Sequence, residues 1–180
     1  QLPWRGVPFM PVEIILLPKW FPFHLSKVAY WSRTVTVPLT ILCSLRAKAA
    51  NPHKINVREL FTADPEKERD YFPVRTPLNR LFLFIERTAS LFEPFIPNVL
   101  RRIALRRAER WIIERLNGEC GLGAIFPAMV NANEALSLLG YPYEHPYREQ
   151  CRKALLGLLV IDDEQAWCQP CTSPVWDTVL

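Results

Sequence analysis

The chain has no apolar run as long as the ~18 residues that a membrane-spanning helix needs. Its longest such stretch, around Val35 to Leu45, is broken by Thr36, Pro38, Thr40 and Ser44. There is no Gly-rich phosphate loop, and no Ser/His/Asp or Cys/His arrangement has supporting local context. Nucleotide binding and triad-type nucleophilic catalysis therefore have no sequence basis. No segment shows sustained period-2 alternation with hairpin turns, so no sheet is expected. The five cysteines are an odd number without framework spacing, which favours free thiols in a reducing compartment over disulfides. No signal peptide is visible, but the first residue is Gln1, not Met, so a leader could precede it.

What is present reads as helical. The 180 residues are 49% apolar, enough for one modest core and too apolar for disorder. Seventeen prolines are about twice the usual share, and most stand where a helix would start or stop. Pro11 to Leu17 reads as a short apolar helix closed by Pro18, and Ser26 to Lys48 as a longer one kinked at Pro38. Residues 51–77 are polar, charged and Pro-punctuated, a connecting loop with at most a helical turn. Leu78 to Leu91 is helical, interrupted by Pro94 and Pro97. Leu100, Ile103, Ala104, Ala108, Trp111 and Ile112 fall at helical spacing, with Gly118 ending that helix. Pro127 and Pro146 open two more, the first closed by Gly140. Short Gly/Pro connections predict that consecutive helices are antiparallel neighbours, an array of hairpins able to close into a barrel. Ser173-Pro174 would start a last helix. The chain stops at Leu180, before a helix of that length can stand alone, so it is expected to be an interior piece of a longer protein.

The formal charge of +4 is too small to argue for nucleic acid, and none is expected as a partner. It is locally concentrated, however: Arg101, Arg102, Arg106, Arg107, Arg110 and Arg115 are answered nearby only by Glu109 and Glu114. That is either the solvated face of a helix or a contact for anionic lipid. Cys168 and Cys171 form a Cys-x-x-Cys pair, but a structural zinc needs a second pair or a matching His, and a redox motif would want a preceding strand. Packing is the plainer role. Asp162, Asp163 and Glu164 could do acid–base work if buried; past a helix end such a run is more simply solvated.

Aromatic residues are the stronger signal. Six tryptophans, Trp4, Trp20, Trp31, Trp111, Trp167 and Trp176, serve either as core or as π-faces for a cation in a dry cavity. The stretch Leu81-Phe82-Leu83-Phe84-Ile85, with Leu91-Phe92 and Phe95-Ile96, is apolar on more than one helical face. Either both sides are buried in protein, or one meets lipid.

Four blocks are recognisable. Ser173-Pro174-Val175-Trp176-Asp177-Thr178 resembles the Ser-Pro-Val-Trp-Asp-Thr signature of bacterial squalene–hopene cyclases. Trp4-Arg5-Gly6-Val7-Pro8-Phe9-Met10-Pro11-Val12-Glu13, Tyr30-Trp31-Ser32-Arg33-Thr34-Val35 and Gly121-Leu122-Gly123-Ala124-Ile125-Phe126-Pro127-Ala128-Met129 resemble the same family, in family order across nearly the whole chain. The resemblance implies an all-α fold, an α/α-barrel (toroid) fragment of a two-barrel triterpene cyclase. Residues 1–168 would be mostly the inserted second barrel, and 169–180 the start of the return into the first, catalytic one. It implies a monotopic protein on the cytoplasmic side of the bacterial membrane, with Leu81, Phe82, Leu83, Phe84, Phe92 and Phe95 contacting the bilayer.

The implied reaction is cyclisation of squalene to hopene and hopanol, without metal or cofactor. A general-acid Asp protonates a terminal alkene, and aromatic faces steady the carbocations that follow. By match to the family, Trp31, Ile125, Phe126 and Trp176 line the substrate cavity. The family's acid motif, Asp-x-Asp-Asp, lies downstream of the Ser-Pro-Val-Trp-Asp-Thr signature. The Val160-Ile161-Asp162-Asp163 segment lacks its first Asp and lies upstream, so this chain is expected to carry no catalytic acid and to be inactive alone. A family staple pairing Gln with Trp begins at Arg107-Ala108-Glu109-Arg110-Trp111-Ile112, yet Leu116, Cys120 and Leu122 stand where its Gln, Gly and Trp would be. The alternatives are a related triterpene cyclase taking oxidosqualene or another polyprenoid, a non-catalytic membrane-binding helical module, or a metal or redox module around Cys168 and Cys171. A homodimer of the full-length protein is left open.

Overall fold

The computed structural model describes residues 4–48, 50–68, 71–72 and 74–172. Trp176 and the helix start expected at Ser173-Pro174 lie outside the described residues. These fall into two compact units, one drawn from residues 1–9 and 46–96, the other from 10–45 and 97–180. The structure is mostly helical, as expected.

In the first unit, helix α2 (Pro77–Phe92) starts where Pro77 presets the first helical φ and the Thr76 hydroxyl accepts from the Asn79 N–H at 3.1 Å. No residue of α2 is fully buried. The polar segment before it holds itself through local bonds. The Asn51 side chain closes a loop with both backbone groups of Ile55, Arg58 pairs with Glu66 at 2.8 Å, and Tyr71 donates to the Pro65 carbonyl at 2.6 Å.

The second unit carries the core. It contains a 3-10 turn at Val12–Leu16, α1 (Tyr30–Leu45), α3 (Asn98–Ile113), α4 (Phe126–Leu138) and α5 (Pro146–Gly157). Helix α1 packs against both α3 and α4, α4 also packs on α5, and α3 covers the Val12–Leu16 turn. Thus α4 and α5 are the adjacent pair that their short connection predicts, whereas α3 and α4 are joined chiefly through α1. Ala104, Ala108, Ala128, Ala132 and Ala135 are fully buried, and these small side chains let helices approach closely while Ile41, Ile112, Met129 and Leu136 fill the layers between. Glu13 and Arg101 form a largely buried ion pair at 2.9 Å that ties the early turn to α3.

Two helices differ from expectation at their boundaries. Helix α1 begins at Tyr30, after a separate 3-10 turn at Leu25–Lys27 whose Ser26 N–H donates to the His24 ring. Pro38 sits inside α1 and is buried. Helix α3 ends at Ile113, short of Gly118, because Asn117 turns the chain: its side chain accepts from the Cys120 N–H at 2.7 Å, and its N–H donates to the Gly121 carbonyl.

An antiparallel hairpin, β1 (Leu159–Ile161) with β2 (Ala166–Cys168), was not expected. Strands of three residues are too short to display alternation. The turn between them is the acidic run. The Asp162 carboxylate accepts from the N–H groups of Glu164 at 3.0 Å and Gln165 at 2.8 Å, and these bonds hold its pKa below the ordinary Asp value. This cluster is exposed turn chemistry, not a buried acid.

All five cysteines are free. Cys168 is exposed at the end of β2, and Cys171 is half-buried. Among the described residues no three His, Cys, Asp or Glu side chains converge. Cys151 is fully buried in α5, and desolvation pushes its thiol up to about 11.

Gly121 has φ +60°, and a Cβ there would lie 2.7 Å from Met129 Sδ and 2.8 Å from the Ala154 Cβ. Gly140 has φ +93° but open space around it. Both substitutions to Ala carry the left-handed penalty of about 1 kcal/mol. Gly121→Ala adds overpacking of about 1–3 kcal/mol. Thermal melts of the full-length protein should therefore rank Gly121→Ala clearly below Gly140→Ala; equal melting would refute the packing argument. Iodoacetamide labelling of native protein near pH 8 should modify Cys168 and spare Cys151 until unfolding. Fast labelling of Cys151 would contradict its burial.

Candidate functional site

Three of the four cavity residues drawn from the resemblance are described, and they gather at one end of the second unit. Trp31 sits in the first turn of α1, where its carbonyl accepts from the Thr34 hydroxyl at 2.6 Å. Thr34 is fully buried because the Gly121–Ala124 loop lies on it: a Cβ on Gly123 would stand 2.5 Å from Thr34 Oγ1. Only glycine allows that approach. Gly121, Gly123 and Ala124 have φ of +60°, +70° and +55°, a left-handed bend that L residues rarely adopt. The bend delivers Ile125 and Phe126 to the start of α4, two and three residues past the contact, while Trp31 lies one turn before it.

The far strand of the hairpin then returns to this bend. Gln169 donates to the Leu158 carbonyl, the Phe126 N–H donates to the Pro170 carbonyl at 2.9 Å, and Thr172 donates to the Ala124 carbonyl at 2.9 Å. Ile125 and Cys171 face each other across this antiparallel bridge. The backbone of Ile125 and Phe126 is thus pinned from both sides, and the chain leaves the bridge at Thr172, directly ahead of Ser173. Sequence reasoning missed Thr34, Gly123 and the bridge. The one visible signal was the pair of glycines two apart, which reads as a bend but does not reveal what packs on it.

The side chains here are uncovered. Trp31 is 65% exposed and Phe126 44% exposed, and Ile125 is partly buried. Trp111 behaves differently: the Tyr30 ring lies 6.4 Å away and the Arg115 guanidinium 4.4 Å above it. The departure from the family staple is consistent with this. Leu122, at the position of the staple's Trp, is fully buried, and the Trp111 indole is covered by the Arg115 guanidinium.

In the first unit, α2 and the 3-10 turn after it (Glu93–Phe95) present a continuous apolar surface. Leu81, Phe82, Phe84, Leu91, Phe92 and Phe95 are all exposed, Phe84 by 66% and Phe95 by 79%. Leu83 is half-buried and, with Phe82, Pro8, Phe72, Val74, Asn79 and Glu86, lines an apolar cleft of about 320 Å³. Among the described residues no helix is long and apolar enough to cross a membrane. The exposed side chains form the ridge of a surface helix instead. Contiguous apolar surface of this kind marks contact with another apolar phase or partner.

The sequence-based resemblance has independent support. A family model described as the squalene-hopene cyclase N-terminal domain matches residues 1–164. The chain is 43% identical to the squalene–hopene cyclase of Zymomonas mobilis, over 98% of this chain and 28% of that protein. It is 42% identical to the enzyme of the same name from Bradyrhizobium diazoefficiens, over 98% and 27%. A fungal squalene-hopene cyclase, from Schizosaccharomyces japonicus, is also 42% identical over 98% of this chain and 27% of its own. The chain thus spans little more than a quarter of the length of the curated relatives it matches. With its family blocks meeting at the Thr34–Gly123 contact, the chain belongs to the squalene–hopene cyclase family.

Proposed function

We propose that this chain forms one wall of the hydrocarbon cavity, and part of the membrane-contact surface, of an enzyme that cyclises squalene to hopene and hopanol. Residues 1–168 belong mostly to the inserted barrel in this reading, and 169–180 begin the return into the catalytic barrel. The observation that carries the reading is the pairing of family membership with uncovered aromatic faces at a rigid backbone site. Trp31 and Phe126 are both exposed, and each stands three residues along the chain from one partner of the Thr34–Gly123 contact. Rigid aromatic faces suit the demands of the reaction. Cationic intermediates need π-electron density and no nucleophile, and a site that excludes water protects them from capture. The first step, protonation of an alkene, needs a strong and positioned acid. That acid is supplied by the family's Asp-x-Asp-Asp motif outside this chain, since the acidic run at 162–164 is an exposed hairpin turn. Ile125 contributes to the same wall, and Trp176 is the fourth cavity residue by the family match.

A water-insoluble substrate must be taken from a bilayer. In this reading the exposed ridge of α2 supplies that contact, and the enzyme is a monotopic protein on the cytoplasmic face of the membrane. A full-length homodimer is compatible with this arrangement.

Full-length protein incubated in detergent with squalene should give hopene or hopanol by gas chromatography–mass spectrometry, and a folded protein that gives no cyclic product would overturn the proposal. Trp31→Ala should slow cyclisation about tenfold, the scale of losing one desolvated cation–π contact, or release prematurely terminated products. An unchanged rate and product spectrum would remove Trp31 from the wall. Replacing Phe84 by Glu should weaken binding to neutral phosphatidylcholine vesicles more than about tenfold, as expected for losing one buried aromatic side chain; unaltered sedimentation would argue against the α2 ridge.

A further inference from the structure

Helix α3 has a second face that neither the core nor the cavity wall uses. Its buried stripe is Ala104, Ala108 and Ile112. At 100° per residue, Arg106 and Arg110 project on the opposite side, with Arg102 and Arg107 on its flanks. All four are exposed. The nearby carboxylates are already engaged: Glu13 with Arg101 at 2.9 Å, Glu114 with Arg115 at 3.1 Å, and Glu109 with the Tyr141 hydroxyl at 2.8 Å. Among the described residues Arg102, Arg106, Arg107 and Arg110 have no side-chain hydrogen bond or ion pair. The spacings 102/106 and 106/110 set like charges four apart, which destabilises an isolated helix. In a chain whose whole formal charge is +4, four unanswered guanidiniums on one helix are a large local excess.

These side chains also enclose space. Ile103, Arg106, Arg107, Arg110, Trp111 and Glu114 line an open basin of about 630 Å³. Its polar walls are three guanidiniums and the Glu114 carboxylate, the latter paired with Arg115 at 3.1 Å; guanidiniums suit phosphate oxygens through paired N–H donors. Its rim is apolar: Ile103 is 51% exposed, and the Trp111 indole is fixed in place by Tyr30 and Arg115. Indoles favour the boundary between headgroups and water. An anion with an apolar continuation matches both features, whereas a free anion would use only the first.

We propose that the outer face of α3 binds the phosphate of an anionic phospholipid headgroup, with Arg106 and Arg110 as the principal contacts. A headgroup phosphate between the two guanidiniums would relieve their repulsion, and Ile103 and Trp111 would meet the glycerol and upper acyl region. This rests on the membrane reading above only in requiring that the protein meet a bilayer. It is a different element in a different unit from the α2 ridge.

The test is sedimentation of the full-length protein with phosphatidylcholine vesicles, with and without phosphatidylglycerol. The wild type should bind the anionic vesicles more tightly, with the excess lost as salt rises. Arg106→Gln with Arg110→Gln should remove most of that excess, about fivefold per guanidinium, while binding to neutral vesicles and the melting temperature stay unchanged. Equal binding to both vesicle types, or an anionic excess that survives the double substitution, would overturn the proposal. So would loss of the excess to millimolar inorganic phosphate at constant ionic strength, which would assign the basin to a free anion. Loss of neutral-vesicle binding bears instead on α2, so the two ideas fail separately.

Discussion

The close seating of the Gly121–Ala124 bend on Thr34 is the contact on which the functional end of this chain depends. Two glycines in left-handed conformations let the backbone touch α1, Met129 and Ala154 at distances no Cβ would permit. Once the bend is seated, the start of α4 has one available direction. The returning strand at 169–172 then finds its hydrogen-bonding edge. Ile125 and Phe126 owe their positions to this sequence of constraints, and Trp31 shares them because it lies one helical turn from Thr34. Rigidity at this end comes from backbone geometry and small buried residues, so the aromatic side chains are free to face outward.

The surface is correspondingly divided. The α2 ridge is apolar and uncovered, the α1/α4 end is aromatic and uncovered, and the outer face of α3 is cationic and unanswered. The three surfaces differ in chemistry: apolar on α2, aromatic at Trp31 and Phe126, cationic on α3. The departures from the family staple fit the same picture. Leu122 goes into the core, and Arg115 covers one face of Trp111, which lines the basin on the outer face of α3.

Most helices could be read directly. Pro77, Pro127 and Pro146 each stand within the first helical turn, and alanines at helical spacing mark the buried sides of α3 and α4. The end of α3 was misplaced because the stop signal is not the glycine but the Asn117 side chain, which bonds to a backbone group three residues on. The hairpin was missed because three-residue strands carry no period. Its acidic turn could be set aside as a catalytic candidate on position alone, and the structure supplies the reason: Asp162 spends its carboxylate on two backbone N–H groups. The positions Trp31, Ile125 and Phe126 came only from family blocks, since nothing local to them foretells the approach of Gly123 to Thr34.

What the sequence determined by itself is the set of local choices: where most helices start, which side of each is apolar, and which family the ordered blocks belong to. These follow from neighbours within a few residues, and from blocks long enough to be specific. What only the tertiary structure decided is which side chains stay uncovered. Trp31 and Trp111 are the same residue type, each near the start or end of an amphipathic helix. One is left open and the other is held between Tyr30 and Arg115. That difference depends on a partner about 80 residues away for Trp111, and burial by so distant a partner leaves no trace in local spacing.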